Sequence, residues 1–287
     1  MSEKSSQDLR LLCGIGAQPH QFNESPPMIS FRKAPLLATV LLTSTFALTP
    51  TTQAQDNKPA PAKQEVPKPG FKVEMKRGEV LQVIASELRD DGQAAARKYG
   101  QTAFPIAQSF GFQRLGQLNV NRKVISDFDP EVFSFFSWPD QASVDAFAKH
   151  PDWPAIKATR PDAWSELKVY SVELQDDLKL QFDPSKHYTV LVAWLKTDEA
   201  IGDYNKYLEG IESAVERSGG RFIYKMRNPS MEAHASDPAA PHQLTFVEWE
   251  TTDGFDKVQA SQEYLDHRQY FGTSIERVEF YWLKAPS

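Results

Sequence analysis

The chain has 287 residues, of which 40% are hydrophobic and 11% aromatic, and its formal net charge is −6. That length can bury a substantial core and has room for about two domains. The acidic balance, without any basic cluster or aromatic-basic stripe, argues against nucleic acid as a partner, and a single cysteine, Cys13, excludes a disulfide framework.

Residues 1–27 are mixed polar and without periodicity, and are expected to be untranslated or disordered, with Met28 as the start. Residues 28–54 have the layout of a secretory signal peptide: Arg32 and Lys33, an apolar run from Leu36 to Leu48, then small residues at Thr52 and Ala54 before a cut. The run falls short of the ~20 apolar residues of a membrane span. No stable membrane insertion is expected after cleavage, and the protein is expected to be periplasmic or secreted. Cleavage removes four basic residues (Lys4, Arg10, Arg32, Lys33) and three acidic ones (Glu3, Asp8, Glu24), so the charge moves from −6 to −7. Cys13 goes too, which leaves no thiol for catalysis or metal binding. Residues 55–78, with Pro59, Pro61, Pro67 and Pro69, read as a solvated Pro-rich linker.

In residues 79–174, the β-branched run Val80 to Leu88 predicts a strand. Asp90, Asp91 and Gly92 then offer a cap for a helix with Tyr99, Ala103, Ile106, Ala107 and Phe110 on one face. Pro105 is expected to kink or divide that helix, and Gly111 to stop it. Phe112 to Ile125 reads as a strand running into a polar hairpin tip at Asn119 to Arg122. Glu131 to Trp138 is apolar on both sides of the pleat, as a central strand is. A short helix from Asp140 with Val144, Phe147 and Ala148 inward, ended by Pro151 and Pro154, precedes a strand from Leu167 to Leu174.

Gln175 to Lys186 reads as a connector. Residues 187–285 repeat the order: strand Tyr188 to Lys196, a helix with Ile201, Tyr204, Leu208, Ile211 and Val215 on one face, a stop at Gly219 and Gly220, strand Arg221 to Arg227, and a loop to Pro241. Strand Gln243 to Glu250, a helix from Asp253 to about Gln262 and strand Arg277 to Leu283 follow. Moving Trp138 to Ser171 forward by 111 positions lays Trp138 on Trp249, Asp145 on Asp256, Trp153 on Tyr264 and Tyr170 on Tyr281. Such self-similarity points to duplicated domains. Strand, helix, strand, strand, helix, strand is the ferredoxin-like unit, an antiparallel four-stranded sheet with both helices on one side. The fold expected is therefore α+β, two tandem repeats packed sheet to sheet as an intrachain barrel, which makes the chain a monomer with an internal pseudo-dimer.

The second repeat resembles the dimeric α+β barrel superfamily, and within it small bacterial domains of unknown function related to antibiotic-biosynthesis monooxygenases. The likeness rests on Gly219, Gly220, Arg221 and Phe222 entering the second strand, Phe246 to Trp249 as the third, and Ser261 to Tyr264 ending the second helix. The first repeat keeps Phe135 to Trp138 and His150 to Trp153, with Ser109 to Phe112 at the glycine turn. The resemblance implies a cavity between helices and sheet or within the barrel. Relatives include cofactor-free monooxygenases, lactone isomerases and haem-handling proteins, so fold alone selects no activity.

No catalytic motif stands out. His234 and His242 flank a loop holding Glu232 and Asp237, without a recognisable metal spacing, and the loop reads as solvated; no metal and no cofactor are expected. His150 reads as a helix-end cap. His267 is read as lying on a helix-end turn, where an imidazole could act as a base or bind haem iron. The first repeat has Ile156 there. A ligand site is expected in the second repeat from Tyr224, Arg227, Trp249 and His267, because polar groups kept where the other repeat is apolar need a partner. The function expected is an exported binder of a small organic ligand; the alternatives are a cofactor-free oxygenase or isomerase, or a non-catalytic interaction module.

Overall fold

The computed structural model describes residues 70–226, 231–235 and 239–286. Residues 1–69, on which the expected leader and most of the expected Pro-rich linker fall, and Arg227 and Asp237 lie outside the described residues.

The first group comprises β2 (Val80–Leu88), α1 (Gln93–Ser109), β3 (Gln113–Ile125), β4 (Val132–Trp138), the short helices α2 (Gln141–Ala148), α3 (Trp153–Ala158) and α4 (Arg160–Ala163), and β5 (Trp164–Glu173). It is preceded by β1 (Phe71–Met75) and followed by β6 (Leu178–Phe182). The second group comprises β7 (His187–Leu195), α5 (Ile201–Arg217), β8 (Gly220–Lys225), the two-residue β9 (Glu232–Ala233), β10 (Gln243–Trp249), α6 (Gly254–Gln259), α7 (Gln262–Ser274) and β11 (Ile275–Lys284).

Local chemistry sets several helix boundaries. Asp140 caps α2 by accepting from the Ser143 amide at 2.7 Å, and Ser261 caps α7 by accepting from the Tyr264 amide at 3.2 Å. Gly111 and Gly219 stand just beyond α1 and α5 at φ 87° and 76°, left-handed values that glycine reaches without a Cβ penalty. Pro105 lies inside α1, which runs undivided for 17 residues, and the N-cap is Gly92 without a side-chain bond. The expected division of that helix does not occur.

The described strands form one antiparallel sheet in the order β8, β10, β7, β11, β3, β4, β2, β5, β9, plus the ribbon β1 with β6. Within each group the order is second strand, third, first, fourth, the ferredoxin-like arrangement. The groups join where β3 changes partner. Its first half pairs with β4, to Asn119 opposite Val132, and its second half with β11, from Asn119 opposite Lys284 to Ile125 opposite Phe280. The expected hairpin tip at Asn119 to Arg122 is thus continuous strand, whose polar side chains face water while the backbone bonds a neighbour. At the far side, β5 pairs with β9 through Tyr170 opposite Ala233.

Nine strands laid flat would span roughly 38 Å at ~4.8 Å per step. The outermost two, β8 and β9, are separated by only six residues, and the seven steps from Lys225 to Glu232 reach at most ~25 Å, so the sheet must curl. One buried cluster accordingly mixes inward residues of both groups: Val83, Phe135 and Tyr170 with Tyr188, Val190, Phe246 and Tyr281. Outside it, Val80, Phe136 and Trp138 pack on Ala107, Val144 and Phe147, while Val247 and Trp249 pack on Tyr204, Leu208, Ile211 and Val215. Helices outside and a shared apolar interior make this an α+β barrel.

Two stretches read as linkers contribute to that interior. β1 and β6 alternate strictly, FKVEM and LKLQF, and pair from Phe71 opposite Phe182 to Met75 opposite Leu178. Val73, Leu180 and Phe182 are buried in the inner cluster, where Phe182 meets Phe135, Tyr188 and Phe246 at ring separations of 5.6, 5.1 and 6.3 Å.

Candidate functional site

Of the residues selected from the sequence, the three that are described, Tyr224, Trp249 and His267, do not converge. Trp249 is 1% exposed, and its indole N–H donates to Thr189 Oγ1 at 2.9 Å. Its ring lies against Gly220 and Gly254, where an added Cβ would come within 2.6 and 2.3 Å of it. The Gly-Gly turn thus makes room for Trp249 as a core residue under the helices. Tyr224 belongs to the opposite, inner face beside Phe246, at a ring separation of 6.4 Å. Burial pushes its hydroxyl up to about 12, and that hydroxyl has no hydrogen-bond partner among the described residues. His267 lies well inside α7, a helix longer than the expected turn, with Nδ1 2.8 Å from the Glu263 carbonyl oxygen and its ring against Gly210 of α5. Arg227 is outside the described residues. A pocket of about 540 Å³ in the second group is lined by Asn205, Glu209, Glu212 and Lys225 among others, and includes none of Tyr224, Trp249 and His267.

The aromatic cavity lies in the first group, between its helices and the outer sheet face. It measures about 150 Å³ and is walled by Phe104, Phe112, Trp138, Phe147 and Trp153, with Ala103 and Ala107 of α1 above and Gln82 and Val169 below. Its polar groups come from three places. Arg160, at the start of α4, donates from Nε to the Tyr99 hydroxyl at 2.9 Å. Its guanidinium carbon lies 5.6 Å from the Tyr99 ring centroid and 5.1 Å from that of Trp153. Among the described residues no carboxylate pairs with it. On the sheet, Trp138 Nε1 donates to Gln82 Oε1 at 3.2 Å.

The third contribution crosses from the second group. His234, just after β9, is held by its amide donating to Val169 at 2.8 Å, and its carbonyl accepts from Arg160 Nη1 at 3.3 Å. Its Nε2 stands 2.6 Å from the hydroxyl of buried Ser171. Burial, helped by Lys157 and Arg160 and opposed by Glu232, depresses the imidazole pKa below its ordinary value, so the ring is neutral at pH 7. Tyr99 is shifted upward by burial, with Arg160 acting against that shift. The loop of His234, read from sequence as solvated, is thus partly anchored here.

The sequence held one usable signal for this cavity. Counted back from Gly111, α1 has Ala107, Ala103, Gly100 and Ala96, where α5 counted back from Gly219 has Val215, Ile211, Leu208 and Tyr204. In the second group these four large side chains fill the space between helix and sheet. In the first, the small residues leave it open.

No protein-family model and no curated protein matches the sequence. Among solved structures, the chain is similar to an anthrone oxidase-like protein, at 8% identity over 75% of this chain and 94% of that one, with a TM-score of 0.47. It is also similar to a mutant chlorite dismutase from Candidatus Nitrospira defluvii, at 10% identity over 74% and 93%, TM-score 0.42. A protein of unknown function from Rhodopseudomonas palustris matches at 15% identity over 35% of this chain and 84% of its own, TM-score 0.31. Identities this low concern architecture, and the chemistry has to be argued from this chain's own side chains.

Proposed function

We propose that this protein is an exported small-molecule-binding protein, that its two groups are tandem copies paired within one chain, and that its ligand is a single ring bearing an anionic or hydrogen-bond-accepting group. The observation that carries the ligand reading is the cavity of about 150 Å³, a size that holds one benzene-sized ring, with the Arg160 guanidinium at its wall. Two further pockets, of about 280 and 170 Å³, share Arg160, so a polar substituent has room beyond the ring. Aromatic walls with a few placed polar groups are the usual make-up of such sites, and a guanidinium favours carboxylate or phenolate oxygen. Chemistry on the bound molecule is a second reading, favoured by His234, whose neutral imidazole has the form of a general base.

Tandem pairing is supported by the equal strand order in both groups and by the interior they share. Covering each other's inner faces within one chain gains from high effective concentration, and the chain is expected to be monomeric by light scattering. For export, N-terminal sequencing of the secreted product should begin at Gln55 or within two residues of it.

Tryptophan fluorescence titrated with benzoate, phenol and benzyl alcohol tests the ligand reading. Benzoate is expected to quench most strongly. Ala103→Val with Ala107→Leu, which refills the space, should weaken binding at least tenfold without lowering the melting temperature. Equal binding by the refilled variant would remove the cavity from consideration.

A further inference from the structure

The two groups touch each other through residues at matching positions. Lys168 and Glu279 are 111 apart in sequence and their side chains meet at 2.6 Å. Phe135 and Phe246, again 111 apart, meet at a ring separation of 5.8 Å. The ladders give the same correspondence independently: Lys168 lies opposite Ala85 and Glu279 opposite Val192, while Phe135 lies opposite Val83 and Phe246 opposite Val190. Both partner pairs differ by 107. A residue contacting its own counterpart marks the axis of a two-fold pairing, where each position of one half faces the same position of the other.

On such an axis, identical halves put identical side chains together. A phenylalanine tolerates that, so Phe135 and Phe246 do not tell a like pairing from an unlike one. Lysine and glutamate do. Two first groups would bring Lys168 against Lys168, and two second groups Glu279 against Glu279, in a place where the side chains are only 5% and 8% exposed. The adjacent position is inverted in charge as well, Glu166 in one half and Arg277 in the other.

Resting on the reading of the groups as paired copies, we infer that Lys168 and Glu279 are a pairing code: the first half accepts a second half as partner and rejects a copy of itself. The pair is well supported where it stands. Glu279 Oε2 lies 3.2 Å from the Tyr281 hydroxyl, which also approaches Ser126 Oγ at 2.7 Å. The Lys168 ammonium lies 4.4 Å from the Phe128 ring centroid and 5.9 Å from that of Trp194. Glu166 is 3.4 Å from Lys168, but its side chain is 37% exposed, so water screens it and it softens a lysine–lysine contact only in part. Opposed like charges in a buried contact then cost the wrong pairing roughly tenfold or more in its association constant. Buried ion pairs are often no more stabilising than apolar ones, and fixing register or partner is their best-attested use.

Four full-length chains test this: the native one, Lys168→Glu, Lys168→Glu with Glu279→Lys, and Lys168→Met with Glu279→Leu. The single reversal should lower the melting temperature by roughly 6–20 °C, and exchanging both charges should restore most of that loss. An exchanged chain no more stable than the single variant overturns the inference. The apolar chain should melt as high as the native one, yet refold from denaturant at high concentration into several-fold more dimer and larger species, because the buried like-charge contact that opposes like pairings is gone and only the partly exposed Glu166 and Arg277 positions remain. Clean monomer from a stable apolar chain, in the native proportion, also overturns it. If the apolar chain does not fold, the exchange experiment decides. A native chain that is itself a dimer would refute intrachain pairing without touching the code, since first and second groups of different chains still bring Lys168 to Glu279.

Discussion

Gly210→Ala is expected to destabilise the protein when His267 is present and to stabilise it when His267 is replaced by alanine. An added Cβ at Gly210 would lie 2.1 Å from Cδ2 and 2.2 Å from Cγ of His267. These ring atoms sit close to the α7 backbone and cannot swing away freely, because Nδ1 is tied to the Glu263 carbonyl at 2.8 Å. Overpacking of this kind costs about 1–3 kcal/mol, and a lost hydrogen bond is worth about 1 kcal/mol within that range. Against it, alanine gains about 1 kcal/mol over glycine in a helix interior. The net effect with His267 is a loss of about 0–2 kcal/mol. Without the ring only the gain remains, so the two sites are coupled by about 1–3 kcal/mol. At ~2–4 °C per kcal/mol for a protein of this size, thermal unfolding of the four chains of the cycle resolves it. A shift of the same sign and size in both backgrounds would show that His267 does not fix the distance between α5 and α7. The same variants measure ligand binding: if His267 has this packing role alone, His267→Ala leaves benzoate affinity unchanged.

Trp249→Phe removes the donor to Thr189, a residue only 2% exposed, and leaves a void over Gly220 and Gly254; a loss of about 2–4 kcal/mol in urea denaturation is expected, with ligand binding in the first group retained. His234 and His187 both have pKa values depressed by burial, His187 further by Lys284. The folded state therefore binds fewer protons than the unfolded one just below the ordinary value of 6.5. Their contribution is complete above pH 6.5 and is lost as pH falls through the window between that value and the depressed ones. Urea midpoints measured from pH 7.5 to 5 should decline, less steeply in His234→Gln and His187→Gln, and an identical slope in both variants would assign the decline to other groups.

What could be read in the sequence depended on whether a residue's reason for its conformation lies nearby. β4 was legible because its apolar residues occupy both faces, which only a covered central strand explains. The face of α5 was legible through the spacing of Tyr204, Leu208, Ile211 and Val215. β9 was not, since nothing in Glu232 and Ala233 favours a strand and their pairing with β5 is wholly tertiary. Nor was α7, whose buried residues are Tyr264, Phe271 and Ser274 alone, too few for a stripe, so that from sequence His267 reads as lying on a turn. Asn119 to Arg122 suggests a hairpin tip because three of its four side chains are polar, whereas what holds the stretch is its backbone, shared with β11.

The cavity was hidden for a different reason. Alanine is the best helix former, so Ala96, Ala103 and Ala107 strengthen the prediction of α1 while saying nothing about the space their short side chains leave. A missing side chain becomes visible only against a standard, and this chain carries one in α5. Comparing the two groups for polar residues that one has and the other lacks points to His267, which the structure puts between two helices. Comparing them for lost volume leads to Arg160, Tyr99 and His234, because a pocket is made by what fails to fill it, and charged or aromatic side chains at its edge then acquire a function that their own positions in the sequence do not announce.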